Sequence, residues 1–456
     1  MMKYAIVDTE TTVFEKGHPY SKCNKLVVIG VKCENIYRAI WDRDNGSIGS
    51  VIENGYTLVG SNFKFDLGWL RNAGVEIPTD IKIWDIQLAF FMLQAQRRVM
   101  PSVDEMAEHY GVEKKLPFIK EKYWDKGIDT DQIPRDELEQ YLKQDLDSTE
   151  QIFLKQVEEF KQYPKLLQLF KIHCKDQVVL EEIQRNGLYY NKDKAEKAKI
   201  GIEEKIEKIK GELASFVPGI PVNWNSGDHL SCILFGGTIQ HDIRVPNGVF
   251  KTGQKIGELK YKKIVKDYTL PGLVKPKSKW ALQKEGYYSS KESVLRQIKH
   301  PVAKLLLDYA GLTKVHEYFV KIPQLIEEKA WENDIVHGTI NQTVAVTGRT
   351  SASNPNTQNL CPEILEFFET RNGVFLSCDA KALEWVAVNF LSQDPVGMKE
   401  IRDGVDQHTL NQKAFGLPSR LIAKVFVFRL IYGGTEFSYA QDPDFAEVNK
   451  SSKEWA

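Results

Sequence analysis

Tyr4-Ala5-Ile6-Val7-Asp8-Thr9-Glu10, residues 4–10, is a short apolar run that closes on two carboxylates. A run of this length ended by charge reads as a buried strand. Residues i and i+2 of a strand share a face, so Asp8 and Glu10 can converge on one point. Working outward, Leu26–Val31 reads as a second buried strand, and Leu58-Val59-Gly60 as a shorter one running into Ser61-Asn62. Helical patterns follow over Phe65–Arg71, Ile83–Leu93 and Glu137–Gln156. Strands alternating with helices imply a mixed α/β domain over roughly the first 160 residues.

Beyond residue 165 the pattern is mostly helical. Ile202, Ile206, Ile209 and Leu213 form an apolar stripe on a long helix over 192–216, with Asn191 as its N-cap. The lysine-rich stretch around Pro271, Gly272 and Pro276 reads as loops between helices, and strand patterns return at Ile335–Ala345 and Val374–Ser377. At about 150 residues per domain, 456 residues suggest three, here 1–164, 165–330 and 331–456. Charged residues at 27% and aromatics at 11% argue against disorder. No apolar run reaches the roughly 18 residues of a membrane span. The start meets Asp8 before a signal-peptide core can form. The six cysteines (23, 33, 174, 232, 361, 378) make no CxxC pair and read as reduced thiols of a cytoplasmic protein. A net charge of −1 hides an uneven distribution: residues 251–300 carry thirteen Lys and Arg against four acids. That block suits either a solvated surface or a polyanion partner.

Two further segments extend the first carboxylate pair. Asn62-Phe63-Lys64-Phe65-Asp66 follows the third strand, and Tyr141-Leu142-Lys143-Gln144-Asp145 puts a phenol and a carboxylate on one helix face. Each has an ordinary alternative: solvent-facing acids for Asp8 and Glu10, a helix N-cap for Asp66, an exposed face for Tyr141 and Asp145. Three such elements in order argue for one site. Four carboxylates can hold two hard divalent cations about 3.5 to 4 Å apart, the geometry for in-line attack on a phosphodiester. One ion would lower the pKa of an attacking water and the other stabilise the leaving 3′-oxygen, with Tyr141 orienting the water. Four clustered carboxylates repel one another, so the site implies bound Mg²⁺ or Mn²⁺.

These residues resemble the DEDD-type 3′–5′ exonucleases of the tyrosine-containing subclass. Asp8 and Glu10 match the first motif, Asn62 with Phe65 and Asp66 the second, Tyr141 and Asp145 the third. The resemblance implies a ribonuclease-H-like fold, a two-metal proofreading site and a single-stranded DNA 3′ end as substrate.

A second constellation begins at Thr347-Gly348-Arg349 and continues through Gln358-Asn359. Val374 to Asp379 follows, then Glu384, and then Asp406-Gln407-His408. Alone, these read as a turn-prone polar loop and a helix N-cap. Between Pro418 and Gly434, Arg420, Lys424, Phe428 and Tyr432 recur every fourth residue, so they share one broad helical face. Two cations in a helix's first turns cost about 0.3 to 1 kcal/mol each with no structural return. An anion held by them and by the helix N-terminus would account for both, with Phe428 and Tyr432 offering stacking surfaces for a base. The two aromatics also suit plain packing against a core.

This half resembles the family A DNA polymerases. Arg420, Lys424, Phe428 and Tyr432 fit the nucleotide-binding motif B, and Asp379 to Glu384 fit motif A. By resemblance Asp379 binds catalytic metal, Glu384 excludes a ribose 2′-hydroxyl, and His408 lies near the triphosphate. Arg349, Gln358 and Asn359 occupy template–primer positions, and Asn223 to Phe235 resembles the thumb, beside which the basic block would grip duplex backbone. The resemblance implies primer–template DNA and a dNTP as partners, and a mostly helical thumb followed by a partial right-hand palm and fingers. Lys381, Ala382 and Val386 depart from the usual Ser, Gln and Arg of motif A, as in phage-type members. Motif C, a His-Asp-Glu hairpin with the second palm aspartate, is not found; the only His-Asp pair, His241-Asp242, precedes motif A. The expectation is a family A polymerase cut or split before motif C, needing a complementing C-terminal chain to polymerise. A stand-alone exonuclease and a non-catalytic DNA-binding subunit are the alternatives.

Overall fold

The computed structural model describes residues 2–455 except 35, 42–45, 115–116, 250, 253–255, 443–444, 446–447 and 449–450. The chain divides into two compact units, residues 1–218 with 305–373 and residues 219–304 with 374–456. Lys255 of the basic block lies outside the described residues.

The first unit is built on a mixed five-stranded sheet. Its strands are β1 (Tyr4–Thr11), β2 (Leu26–Cys33), β3 (Ile36–Ile40), β4 (Thr57–Gly60) and β5 (Ile83–Asp85), in the order β3-β2-β1-β4-β5. β2 runs antiparallel to both β1 and β3, whereas β4 is parallel to β1 and β5 to β4. Every residue of β4 and β5 is buried, as a parallel edge covered on both faces requires. Four helices matter to the site: α1 (Lys64–Asn72), α2 (Ile86–Leu93), α3 (Arg135–Phe160) and α4 (Pro164–Asn186). The segment 83–93 was expected to be one helix, and its first three residues are instead a strand. Asp85 decides the change. It ends β5 and N-caps α2 by accepting from the Gln87 and Leu88 N–H groups.

Helix α3 buries Leu138, Tyr141, Leu142, Leu146, Ile152, Phe153 and Phe160 against the sheet. Gly30 of β2 permits the contact, because a Cβ there would stand 2.7 Å from the Leu142 side chain. Trp84 packs edge-on between Phe153 and Phe160 of α3 and Phe170 of α4, with centroids 5.2, 5.5 and 4.7 Å away. The long helix expected after Asn191 is present over Lys192–Ala214, and the Asn191 side chain accepts from the Lys194 N–H at 3.0 Å. Its Ile206 and Leu213 are buried, with Ile202 half-buried. A three-stranded antiparallel sheet, ordered Phe368–Glu369, Leu188–Tyr190, Ile335–Val336, completes this unit with Phe319, Ile322, Trp331 and Phe367 as its core.

The second unit corrects two expectations. Part of the lysine-rich stretch is no loop. Gly237–Val249 (β6) and Leu259–Leu270 (β7) pair as a long antiparallel ribbon. The alternation of Ile239, His241, Ile243 and Val245, answered across the ladder by Tyr268, Lys266, Ile264 and Lys262, is the pattern that charge density obscured. Second, Val374–Ser377 is not a strand but irregular chain, with Val374 and Leu376 each 89% exposed. No described strand pairs with it, and an apolar segment without a ladder partner has nothing to hold it extended. The helices here include α5 (Gly227–Phe235), α6 (Leu383–Ser392), α7 (Gln407–Phe415) and α8 (Arg420–Ile431).

Candidate active site and nucleotide cleft

Strand β1 carries Asp8 and Glu10, and α3 lies across the sheet with Tyr141 and Asp145 one turn apart. Oxygens of Asp8, Glu10 and Asp145 all lie within 4.8 Å of one another. Ligands of a single hard cation, each about 2.0 to 2.6 Å from it, span up to about 5 Å, so the cluster fits such an ion. Glu10 and Asp145 are buried and Asp8 is partly exposed, leaving one open side.

Asp66, the fourth expected acid, is buried in the first turn of α1 and is not part of that three-oxygen group. It is anchored from β1. The Thr9 N–H and hydroxyl donate to its Oδ1 at 3.0 and 2.7 Å. Burial first, and the neighbouring Asp8 charge second, push its carboxyl well above the ordinary carboxylate range. A cation at the cluster would relieve both effects. Tyr141 is buried, with its ring edge-on to Trp124 at 6.0 Å and to Phe118 at 6.5 Å.

The turn that aims Asp66 is fixed by Asp85, which motif reading missed. Asn62 sits at φ 51°, and its N–H donates to Asp85 Oδ1 at 3.1 Å, while the Phe63 N–H donates to Asp85 Oδ2 at 3.0 Å. Gln177 Nε2 adds a third donor at 2.6 Å. Asp85 is buried, which raises its pKa, so one carboxylate fixes both the β4–α1 turn and the start of α2. Gly60 permits the tight turn, since a Cβ there would stand 2.4 Å from the Phe63 ring. Lys64 is buried too. Its ammonium donates to Gln184 Oε1 at 2.8 Å and to the Ile340 carbonyl, and burial lowers its pKa to about 8. The sequence signal for Asp85 was a lone acid between two apolar runs, which is an N-cap pattern. Lys64 left no comparable signal.

In the second unit a cleft of about 470 Å³ is lined by Asp379, Lys381, Glu384, Asp406, His408, Arg420, Lys424 and Phe428, among others. Ser419 caps α8 by accepting from the Ile422 N–H, so the helix begins where the sequence indicated. Arg420 does not stand without an acid, however. Arg420 makes a two-point ion pair with Asp406, the N-cap of α7, at 2.8 and 3.1 Å. The Asp406 carboxyl is held well below its usual range chiefly by that guanidinium. His408 is buried beneath Phe428, with ring centroids 5.8 Å apart, and its pKa falls because of burial and the Arg420 charge. The Lys424 ammonium lies 5.6 Å from the Phe428 ring centroid, whereas Tyr432 is exposed beyond the helix end. Asp379 is exposed and does not cap a helix, since Ala382 takes the N-cap position of α6.

Residues 259–453 match the model of DNA polymerase family A. That stretch, somewhat under half of the chain, is similar to the family. The chain is 26% identical to DNA polymerase I of Borreliella burgdorferi, over 96% of its own length and 46% of that protein. It is 22% identical to the DNA polymerase of Bacillus phage SP01, over 90% of its length and 49% of that protein. The chain thus spans less than half of either relative. Among solved structures, the POL domain of Pol1 from M. smegmatis, in complex with DNA primer-template and dNTP, superimposes with a TM-score of 0.72 at 17% identity. That match covers all of this chain and 72% of the other, and shows a shared fold.

The matched residues include the cleft residues Asp379, Glu384, His408, Arg420, Lys424 and Phe428, together with Arg349, Gln358, Asn359 and Tyr432. Arg349, Gln358 and Asn359 are exposed and belong to the first unit, where Gln358 Nε2 donates to the Thr350 hydroxyl at 2.8 Å. Asp8, Glu10, Asp66, Tyr141 and Asp145 lie outside the matched residues. Among the described residues, no helix is long and apolar enough to cross a membrane.

Proposed function

We propose that the chain is a DNA-replication enzyme with two sites: a metal-dependent 3′–5′ proofreading exonuclease on a ribonuclease-H-like fold, and a family A polymerase site for primer–template DNA and a dNTP. The exonuclease reading rests on the meeting of Asp8 and Glu10 from β1 with Asp145 from α3 inside 4.8 Å. Asp8, Glu10 and Asp145, with Asp66 beside them, would hold Mg²⁺ or Mn²⁺, two ions in all. When bound, these supply Lewis acidity at the scissile phosphate and lower the pKa of the attacking water. The protein's own residues do the positioning. Thr9 fixes the Asp66 carboxylate, Tyr141 orients the water through its phenol, and Asn62 and Phe65 receive the terminal nucleotides of a single-stranded 3′ end.

In the polymerase half, Arg420 and Lys424 at the start of α8 take the triphosphate, His408 stands near it, and Phe428 and Tyr432 contact the base. For this Arg420 must exchange Asp406 for a phosphate oxygen, the same bidentate chemistry with a different anion. Asp379 is the metal-binding carboxylate, Glu384 selects against a ribose 2′-hydroxyl, and Arg349, Gln358 and Asn359 contact the template–primer. Nucleotidyl transfer needs a second carboxylate beside Asp379, so polymerisation is proposed to require a complementing C-terminal segment carrying motif C.

The test is release of nucleotides from a 3′-labelled single strand in Mg²⁺, comparing wild type with Asp8→Ala. Loss of release in the variant is expected, and undiminished degradation refutes the exonuclease assignment. Primer extension with and without a motif-C-bearing family A fragment tests the second half.

A further inference from the structure

Helix α4 turns three polar side chains inward. Gln177, Glu181 and Gln184 share one of its faces, and all three are buried. Each reaches toward α1, the helix that carries Asp66. Gln177 donates to Asp85, the carboxylate that holds the turn leading into α1. Glu181 pairs with Arg71 in the last turn of α1 at 2.7 Å, and accepts from the Tyr20 hydroxyl at 3.2 Å. Gln184 accepts from Lys64, the first residue of α1 and two positions before Asp66.

Lys64 is the odd member of this set. The first two contacts set a donor against a carboxylate, whereas the buried Lys64 ammonium donates to two neutral oxygens, Gln184 Oε1 at 2.8 Å and the Ile340 carbonyl. Burying an ammonium on neutral partners is costly, and a methionine would fill the same space without that cost. What the ammonium supplies is several donors on one atom, able to reach acceptors on two elements at once. Those two elements are themselves joined. The Ile340 N–H donates to the same Gln184 Oε1 at 2.8 Å, and the Gln184 carbonyl lies 2.8 Å from His337 Nδ1. Ile340 belongs to the short strand Thr339–Asn341, which pairs with Ser351–Ser353. Lys64 therefore closes a joint of three elements: α1, α4 and the strand Thr339–Asn341.

We infer that Lys64 is a positioning residue of the exonuclease site: it fixes the first turn of α1 against α4 and the strand Thr339–Asn341, and so holds the Asp66 carboxylate in place beside Asp8. The inference rests on the exonuclease reading and deepens it, by giving a task to a buried cation that acts on hydrolysis without meeting the strand. Two supports then converge on one carboxylate. Thr9 holds Asp66 itself from β1, and Lys64 holds the helix that carries it.

The experiment is steady-state release of nucleotides from a 3′-labelled single strand by the full chain in Mg²⁺, run well below the unfolding midpoint of every variant. Lys64→Met keeps the side-chain length and removes the donors. Its kcat should fall about 10- to 100-fold, the usual loss when a support of a metal-binding group goes, with KM for the strand within about twofold of wild type. Gln184→Leu deletes the acceptor on the other side of the joint and should lower kcat in the same way, which also carries the test if Lys64→Met does not fold. Losses at independent sites multiply to within about twofold. Lys64→Met combined with Thr9→Val should depart from the product of the single losses by more than that, because both act on Asp66. A wild-type kcat in Lys64→Met overturns the role whatever its melting temperature, since a purely structural residue lowers the midpoint and leaves the folded enzyme's rate alone. A raised KM at unchanged kcat overturns it too, making Lys64 a contact to the strand. A double variant equal to the product overturns action through Asp66. A wild-type chain that releases no nucleotide overturns the exonuclease reading itself, and the role of Lys64 with it.

Discussion

Asp66 receives two hydrogen bonds from Thr9 at one oxygen and lies beside the Asp8 charge, in a place water does not reach. Thr9→Val removes the hydroxyl donor and leaves the N–H, so the carboxylate loses half of its anchoring. Supporting contacts of this kind are worth about 10- to 100-fold in activity or metal affinity, and hydrolysis of a labelled 3′ end should fall by that factor. Asp66→Asn keeps the acceptor and removes the buried charge. It should abolish hydrolysis, yet raise the melting temperature at pH 8 in EDTA. Asp85 is a different case, because its role is architectural. It accepts from Asn62, Phe63, Gln87, Leu88 and Gln177, and Asp85→Ala should cost at least about 2 kcal/mol in urea unfolding. The carboxylates of the first site could be read from their neighbours in sequence. Asp85 could not be assigned this role, since three of its five donors come from segments that are remote in sequence.

Helix α3 is the element on which the first site depends, since it brings Tyr141 and Asp145 to β1. Its closeness to the sheet is set at Gly30, where an added methyl would meet Leu142. Gly30→Ala should push the helix outward, cost about 1 to 3 kcal/mol in urea unfolding, and reduce 3′-end hydrolysis although it touches no carboxylate. The existence of α3 and of β1 was legible because long periodic or sharply apolar runs leave few alternatives. The ribbon was not legible, since lysines at alternate positions look like a solvated loop until a second strand pairs with them. Helix α8 falls between these cases. Its start and its four-residue spacing were readable, but the acid that answers Arg420 comes from the cap of another helix. The structural return for that cation, absent from the local sequence, is Asp406.

For the whole chain, the pH dependence of stability follows from which buried groups keep or refuse a proton. With its pKa raised in the folded state, Asp66 holds a proton that the unfolded chain has already released, so stability falls as pH climbs above the ordinary carboxylate range. His18 acts on the acid side. Burial lowers its pKa to about 4, so the unfolded chain takes up a proton that the folded chain refuses, and stability falls as pH drops from 6.5 towards 4. Between about pH 4 and 6.5 the two effects oppose one another; above 6.5 only the Asp66 effect remains, and the melting temperature in EDTA should fall. Mg²⁺ should raise the melting temperature more at pH 8 than at pH 5.5, by up to about 2.7 kcal/mol of stabilisation at a hundredfold excess over its dissociation constant. An equal shift at both pH values would count against a carboxylate metal site. By itself the sequence determined the α/β class of the first unit, the positions of its main strands and helices, and the residue types able to bind metal or phosphate. Those depend on local periodicity and on side-chain chemistry, both of which are written along the chain. Tertiary structure alone decided that three of the four acids converge while Asp66 stands beside them, that Arg420 rests on Asp406, that Val374–Ser377 has no strand partner among the described residues, and that the segment with alternate lysines pairs into a ribbon. Each of these turns on contacts, made or missing, between separate elements, and proximity of that kind comes only with packing.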